Sequence, residues 1–235
     1  MKLIIKSILY GLYFTKIFVK GYLPVVIYLI LSQFLIMKTQ NILLVVLFFL
    51  GYLIVSIPIA LNIFRNIISK EDLLNDYLYF FRQEYTGLFI KKIFYLLISI
   101  IIIYTAHIIV LSPLFPTDIS QITIYLYILF MYMLYIYTRI MFILPAAAHN
   151  ISKGLKDSYL ISKGNSIKIY FSYIAIILPY LFINVAITSY AENSSNFGFF
   201  VIPVIIIQVF FTIVSSALIG YMYSDFYNKP KDITE

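Results

Sequence analysis

The sequence contains no cysteine and little charge. Without cysteine among its 235 residues, the chain can form no disulfide, no thiolate metal site and no thiol-dependent catalytic centre. Charged residues make up 11% of the chain and hydrophobic residues 63%, whereas soluble domains contain about 25% charged residues. Because so little charge could not cover a water-exposed surface, the composition predicts an integral membrane protein.

Carboxylates are also missing from the long apolar runs. All ten Asp and Glu residues lie between these runs or near the chain ends, which argues against a buried carboxylate proton relay or a membrane-embedded metal site. The sequence signatures of phosphate-binding loops, zinc proteases and serine hydrolases do not occur. We therefore expect no enzymatic activity, no cofactor and no metal site.

Six apolar runs approach the roughly 17–25 residues that a membrane-spanning helix needs. They predict an all-α, single-domain membrane protein over residues 1–235, with spans near residues 22–37, 42–64, 93–111, 122–144, 169–189 and 199–221. Residues 1–20 place Lys2, Lys6, Lys16 and Lys20 in one sector of a helical wheel. This pattern predicts an N-terminal amphipathic helix at the headgroups.

Basic residues are distributed asymmetrically around these spans. Fifteen of the 17 Lys and Arg residues lie in the N-terminal arm, in the segments after spans 2 and 4, and in the C-terminal tail. Only Lys38 lies on the opposite side. By the positive-inside rule, both termini are predicted to be cytoplasmic. Since topology and anionic lipid account for the net charge of +7, we do not expect nucleic-acid binding.

The segments after spans 2 and 4 are predicted to form cytoplasmic interfacial helices. After span 2, apolar residues recur at helical spacing from Leu73 to Phe81, and Ser69 with Asp72 resembles a capping box. After span 4, Pro145 is expected to end the span, Asn150 or Ser152 to begin a surface helix, and Gly164 to end it. Pro58 has a similar place near the inner end of span 2 and is likewise expected to break its helix, which suggests a weak twofold repeat.

The second of these segments contains the candidate site residues. Lys153, Lys156 and Lys163 are predicted to face lipid phosphates or a protein partner. Arg139, inside the end of span 4, is expected to be a snorkelling cation, with a lipid phosphate or an inward carbonyl as the alternative partner. The proximity in sequence of His149, Ser152, Asp157 and Ser158 would suit a lipid-modifying enzyme, but Ser and Asp are ordinary residues of a capped interfacial helix.

This layout resembles the membrane domain of bacterial glycerophosphodiester phosphodiesterases and its stand-alone six-helix relatives in the inner membrane. The matching residues are Pro58 to Ile67, Pro145, Ala146, Leu155, Ser158, Leu160 or Ile161, Ser162, Lys163 and Gly164. An acidic residue that the family carries after span 4 is replaced here by Ala148, His149 and Asn150. The phosphodiesterase domain has no counterpart in the 235 residues, so the resemblance implies a non-catalytic membrane module.

Two functions remain open at this point. The first is a non-catalytic multi-pass protein of a bacterial inner membrane that binds anionic lipid, a protein partner or further copies of itself. The alternative is a subunit of a transporter or permease, or a facilitator-type channel, which interrupted spans and internal repeats would favour.

Overall fold

Helices form all the regular structure in the described part of the chain. The computed structural model describes residues 1–39, 42–74, 76–111, 119–192 and 197–227. The helices are α1 (Lys2–Ile17), α2 (Val19–Thr39), α3 (Ile42–Ser69), α4 (Glu84–Leu111), α5 (Ile119–Ile140), α6 (Ile143–Ala147), α7 (Leu155–Ser162), α8 (Ser166–Glu192) and α9 (Phe197–Tyr227), with a 3-10 turn over Tyr79–Arg82 before α4. The predicted all-α class is therefore confirmed.

Five or six helical segments are long and apolar enough to cross a membrane. Five qualify alone, namely Leu43–Ser69, Glu84–Val110, Tyr125–Ala147, Ser166–Ile187 and Val201–Tyr227. The segments Lys2–Ile17 and Val19–Gln33 qualify together but are bent by 92° at Phe18. Ile101, Ile102 and Val110 of α4 are each at least 60% exposed, as expected of side chains that contact lipid.

Helix α9 lies at the centre of the bundle. Every residue at positions 213–223 is buried, and α1, α3 and α8 all pack against this helix. The N-terminal arm is part of this packing, because Ser7, Gly11 and Phe14 form its buried face. A Cβ atom on Gly11 would lie 2.6 Å from Val214 Cγ2, so glycine allows the close approach of α1 to α9.

The predicted interfacial helix after span 2 is wrong. None of the described residues 70–74 and 76–78 is helical, and Lys70 follows α3 with a φ of 60°. The Asn62 amide pairs with the backbone of Leu74 in both directions, at 3.0 and 3.3 Å, and Asn66 Nδ2 donates to Glu71 O at 2.6 Å. These tertiary bonds hold the segment along α3, where they outweigh its local helical preference.

Further bonds fix the rest of this segment. The Tyr77 hydroxyl donates to Val55 O at 2.6 Å. Burial raises the pKa of Tyr77 to about 12, so the hydroxyl remains a donor at neutral pH. Asp76 accepts the amides of Leu78 and Tyr79 and thereby begins the 3-10 turn. The expected cap by Ser69 and Asp72 is not formed, because Ser69 is the last residue of α3 and the next described helical turn begins only at Tyr79.

The two prolines expected to break helices lie inside them. Helix α3 runs through Pro58, which is buried in the bundle. Pro145 lies within α6, and the break in span 4 comes earlier, at Met141 and Phe142. Prolines are tolerated inside membrane helices when local adjustments satisfy the freed carbonyls. Here Leu144 N donates to Met141 O. The nitrogen of Pro145 cannot bond this carbonyl, because it carries no hydrogen.

Candidate functional site

Cationic residues from distant parts of the chain meet at one end of the bundle. The Arg65 guanidinium of α3 donates to Ala148 O, and Lys92 Nζ of α4 donates to Lys153 O at 2.7 Å. Lys153 and Lys168 both lie over aromatic rings near the C-terminus of α9. These contacts support the grouping of the same segments that their charge alone predicted; we call this region the basic end. Lys229 and Lys231 of the tail lie outside the described residues.

The break in span 4 is produced by Ser158 of α7. Its hydroxyl donates to Arg139 O at 2.9 Å and accepts the Phe142 amide at 3.1 Å. Within a continuous helix that carbonyl and that amide would each bond four residues away along the chain. Ser158 is fully buried, so one hydroxyl replaces two helical bonds, and a helix is bent where a side chain enters its hydrogen-bond ladder.

Arg139 is buried, whereas a snorkelling residue would reach the surface. It is 7% exposed. Its guanidinium donates to Ser162 Oγ at 2.8 Å, to the Tyr135 hydroxyl at 3.1 Å and to Tyr159 O at 3.3 Å. It also lies 3.7 Å from the centre of the Tyr159 ring. We call these contacts the Arg139 clasp; they tie α5 to α7. The expectation of a snorkelling, lipid-facing residue is therefore wrong, whereas the bond to Tyr159 O matches the alternative of an inward carbonyl.

The three predicted lysines do not form one contact cluster among the described residues. Lys156 and Lys163 are exposed on α7 and just after it. Lys153 is half-buried, and its ammonium lies 5.0 Å from the centre of the Tyr227 ring. Of these three lysines, Lys156 and Lys163 are therefore the two that an external anion can contact freely.

Helix α7 begins at a residue that was not predicted, and it is followed by the glycine that was. Gly154 is the N-cap residue, and its amide donates to Asp157 Oδ2 at 2.8 Å. Asn150 does not begin the helix, because it has a φ of 57° in the turn after α6. Gly164 follows α7 with a φ of 82°, and a Cβ atom added to it would meet no other atom within 4 Å. The glycine was predicted correctly as the residue after the helix, since this left-handed conformation strains other residues.

Arg65 makes a second set of arginine contacts beside this segment, which was not predicted from the sequence. Arg65 Nε and Nη2 donate to the two carboxylate oxygens of Glu71 at 2.6 and 2.5 Å. A third donor, Nη1, bonds Ala148 O at 3.0 Å, and the guanidinium lies 4.3 Å from the centre of the Tyr85 ring. We call these contacts the Arg65 clasp; they join the segment after α3 to the turn after α6.

His149 lies next to the Arg65 clasp. Its Nδ1 is 2.9 Å from Pro145 O, which can only accept, so Nδ1 carries the proton. Its Nε2 is buried without a hydrogen-bond partner in the described part of the chain. Burial lowers the pKa of His149, with Arg65 acting in the same direction and the bond to Pro145 opposing it. Neutral imidazole is thus the form that this environment favours.

These contacts leave little of the arrangement that a lipid-modifying enzyme would need. Ser158 is fully buried and bonded at the helix break, and Asp157 caps α7. Neither is hydrogen-bonded to His149, so the described contacts do not join a nucleophile to a base there. Among the residues described, no three His, Asp or Glu side chains gather as a metal site.

Comparison with protein-family models, curated proteins and solved structures found no match to this chain. The resemblance to the phosphodiesterase membrane domain therefore stays a prediction.

Proposed function

We propose that this chain is a non-catalytic multi-pass protein of a bacterial inner membrane whose basic end binds anionic lipid headgroups. The observation that carries the proposal is the gathering of cationic segments at one end of a bundle with exposed aliphatic spans. Each lysine or arginine near an anionic membrane surface contributes about 1 kcal/mol of attraction. Lys156 and Lys163, which are exposed, are the residues we assign to this contact.

The proposal requires the basic end to be cytoplasmic. The chain contains no cysteine, so single cysteines at Lys156, Lys163 and Asp118 can be labelled without background. A membrane-impermeant maleimide should label the first two only after the cytoplasmic side is opened. The cysteine at Asp118, in the predicted outer loop, should react in intact cells. The reverse pattern would contradict the orientation.

Lipid binding is tested on the full chain purified in mild detergent. Mass spectrometry of retained lipids should show anionic phospholipid enriched over its share of the membrane. Replacing Lys153, Lys156 and Lys163 together by Gln should reduce the enrichment, and replacing the same three by Arg should keep it, because charge is preserved. Unchanged enrichment in the Gln variant would overturn the assignment of these lysines. A stoichiometric protein partner such as an ATPase would favour the permease-subunit alternative.

A further inference from the structure

A cleft of about 470 Å³ lies at the basic end, between α1, α8 and α9. Helices α1 and α8 each contribute two residues four positions apart, Lys2 with Lys6 and Lys168 with Ser172, which places each pair on one face of its helix. Helix α9 contributes Asp225, and its Tyr221 ring lies beneath Lys6. Met1 and Leu3 complete the lining.

The ammonium groups in this cleft lack anionic partners among the described residues. Lys6 Nζ lies 4.0 Å from the centre of the Tyr221 ring, and Lys168 Nζ lies 5.7 Å from that of Phe226. Within the described ranges the one ion pair is Arg65 with Glu71, so none of the three lysines is paired with Asp225. Aromatic rings hold two of the ammonium groups in place without neutralising them.

Ser172 provides an independent indication that the cleft receives a ligand. It is 8% exposed and lines the cleft. Its hydroxyl makes no hydrogen bond to any described residue, and its oxygen is not among the fully buried unpaired atoms of the described residues, so it is open to the cleft. Polar side chains buried to this degree are usually hydrogen-bonded. A hydroxyl left without a partner beside three unpaired lysines fits an oxygen-rich anion.

We infer that this cleft binds a phosphomonoester group, held by Lys2, Lys6 and Lys168 with a hydrogen bond from Ser172. The side chains of three lysines and one aspartate carry a formal charge of +2 in the lining, which complements the charge of about −1.5 to −2 of a phosphomonoester near pH 7. The inference rests on the proposed function, because it gives the lipid-binding end one discrete site. It adds a discrete site in the cleft to the headgroup contact assigned to Lys156 and Lys163 of the α7 segment.

The test measures binding to the purified full chain by native mass spectrometry, with phosphatidic acid, phosphatidylglycerol and inorganic phosphate as probes. We expect one phosphatidic acid per chain, bound more tightly than phosphatidylglycerol. Lys6→Gln with Lys168→Gln should weaken binding at least about tenfold. The charge-matched control, Arg82→Gln with Lys91→Gln, removes two exposed cations outside the cleft and should change it less than about twofold. Displacement by millimolar inorganic phosphate would support the site and identify a soluble phosphate as its natural ligand.

Misfolding can weaken binding but would not strengthen it, so a variant expected to bind more tightly is tested as well. Asp225→Asn removes the negative charge of the lining, so phosphatidic acid should bind more tightly. Equal losses in the cleft variant and the Arg82→Gln with Lys91→Gln control, or no gain from Asp225→Asn, would overturn the discrete site and leave the proposed function standing. If wild-type protein retains no anionic lipid at all, both proposals fail.

Discussion

The two arginine clasps each hold a guanidinium group at the basic end, but in different surroundings. Each ties a segment at the basic end to a neighbouring turn or helix, and each places a guanidinium beside a tyrosine ring. Arg65 has a side chain 22% exposed and pairs with a carboxylate. Arg139 is 7% exposed and bonds only neutral oxygens in the described structure. The more deeply buried cation is therefore the one without a counter-ion.

This difference shows what makes burial of a guanidinium tolerable. A buried charge is costly unless hydrogen bonds replace its hydration. Arginine spreads its charge over a plane, is weakly hydrated and offers five donors in fixed directions. Arg139 uses three of its nitrogens on three acceptors and stacks on Tyr159, so geometry replaces charge pairing. Arg65, which keeps contact with solvent, depends mainly on Glu71.

The largest effect should come from replacing Arg139 by lysine, with Arg65→Lys as the comparison. Lysine keeps the charge but cannot reach three separated acceptors. Arg139→Lys should therefore cost about 3 kcal/mol, the worth of one to two charge-assisted hydrogen bonds. Arg65→Lys should cost about 1 kcal/mol, because attraction to Glu71 survives in a partly exposed site. Unfolding in mixed detergent micelles would give both free energies. Equal losses would show that burial does not separate the two clasps.

A smaller effect is expected at the serine that supports the Arg139 clasp. Ser158→Ala removes the partner of the buried Phe142 amide and of Arg139 O, and an unsatisfied buried donor costs about 1–3 kcal/mol. The matched control is Ser215→Ala, since Ser215 is also buried but bonds Thr212 O within its own helix. The same unfolding assay should rank Ser158→Ala as the more damaging change. If the two serines prove equal, the hydroxyl does not hold the helix break.

Five of the six spans were predictable from the sequence because apolar run length is a local property. The first predicted span, residues 22–37, falls in a helix that qualifies only together with the N-terminal arm. The helix break was not predictable, because Ser158 is 19 residues from the carbonyl to which it donates, and no local pattern marks such a contact. Prolines at 58 and 145 were a misleading signal, since membrane helices accommodate them. Gly164 was predictable because its left-handed backbone is a local requirement.

The segment after α3 was mispredicted for a related reason. Its apolar residues do recur at helical spacing, but three polar residues of α3 bind it and prevent it from forming a helix. A signal was present in the sequence: Asn62, Arg65 and Asn66 share one face of an otherwise apolar helix. Polar side chains grouped in this way need partners, and the following segment is the nearest source of backbone groups.

Charge pairing between Arg65 and Glu71 distinguishes the Arg65 clasp from the Arg139 clasp, and its strength can be measured. A double-mutant cycle with Arg65→Gln, Glu71→Gln and the double variant isolates the coupling between the two side chains. We expect about 1 kcal/mol, at the upper end for exposed pairs because the geometry is bidentate. The coupling should shrink in high salt. A coupling near zero would mean that the bond to Ala148 O and the Tyr85 ring hold Arg65 in place.

The smallest predicted effect is a pH dependence at the Arg65 clasp that the Arg139 clasp should lack. Burial lowers the pKa of His149 below its ordinary value of 6.5. As the pH falls through 6.5, the unfolded chain takes up a proton before the folded chain does, so stability is lost on acidification. His149→Gln should reduce the loss measured between about pH 7.5 and pH 5.5, whereas Arg139→Lys should leave the pH dependence unchanged. An unaltered pH profile in His149→Gln would show that protonation at this position does not control the clasp.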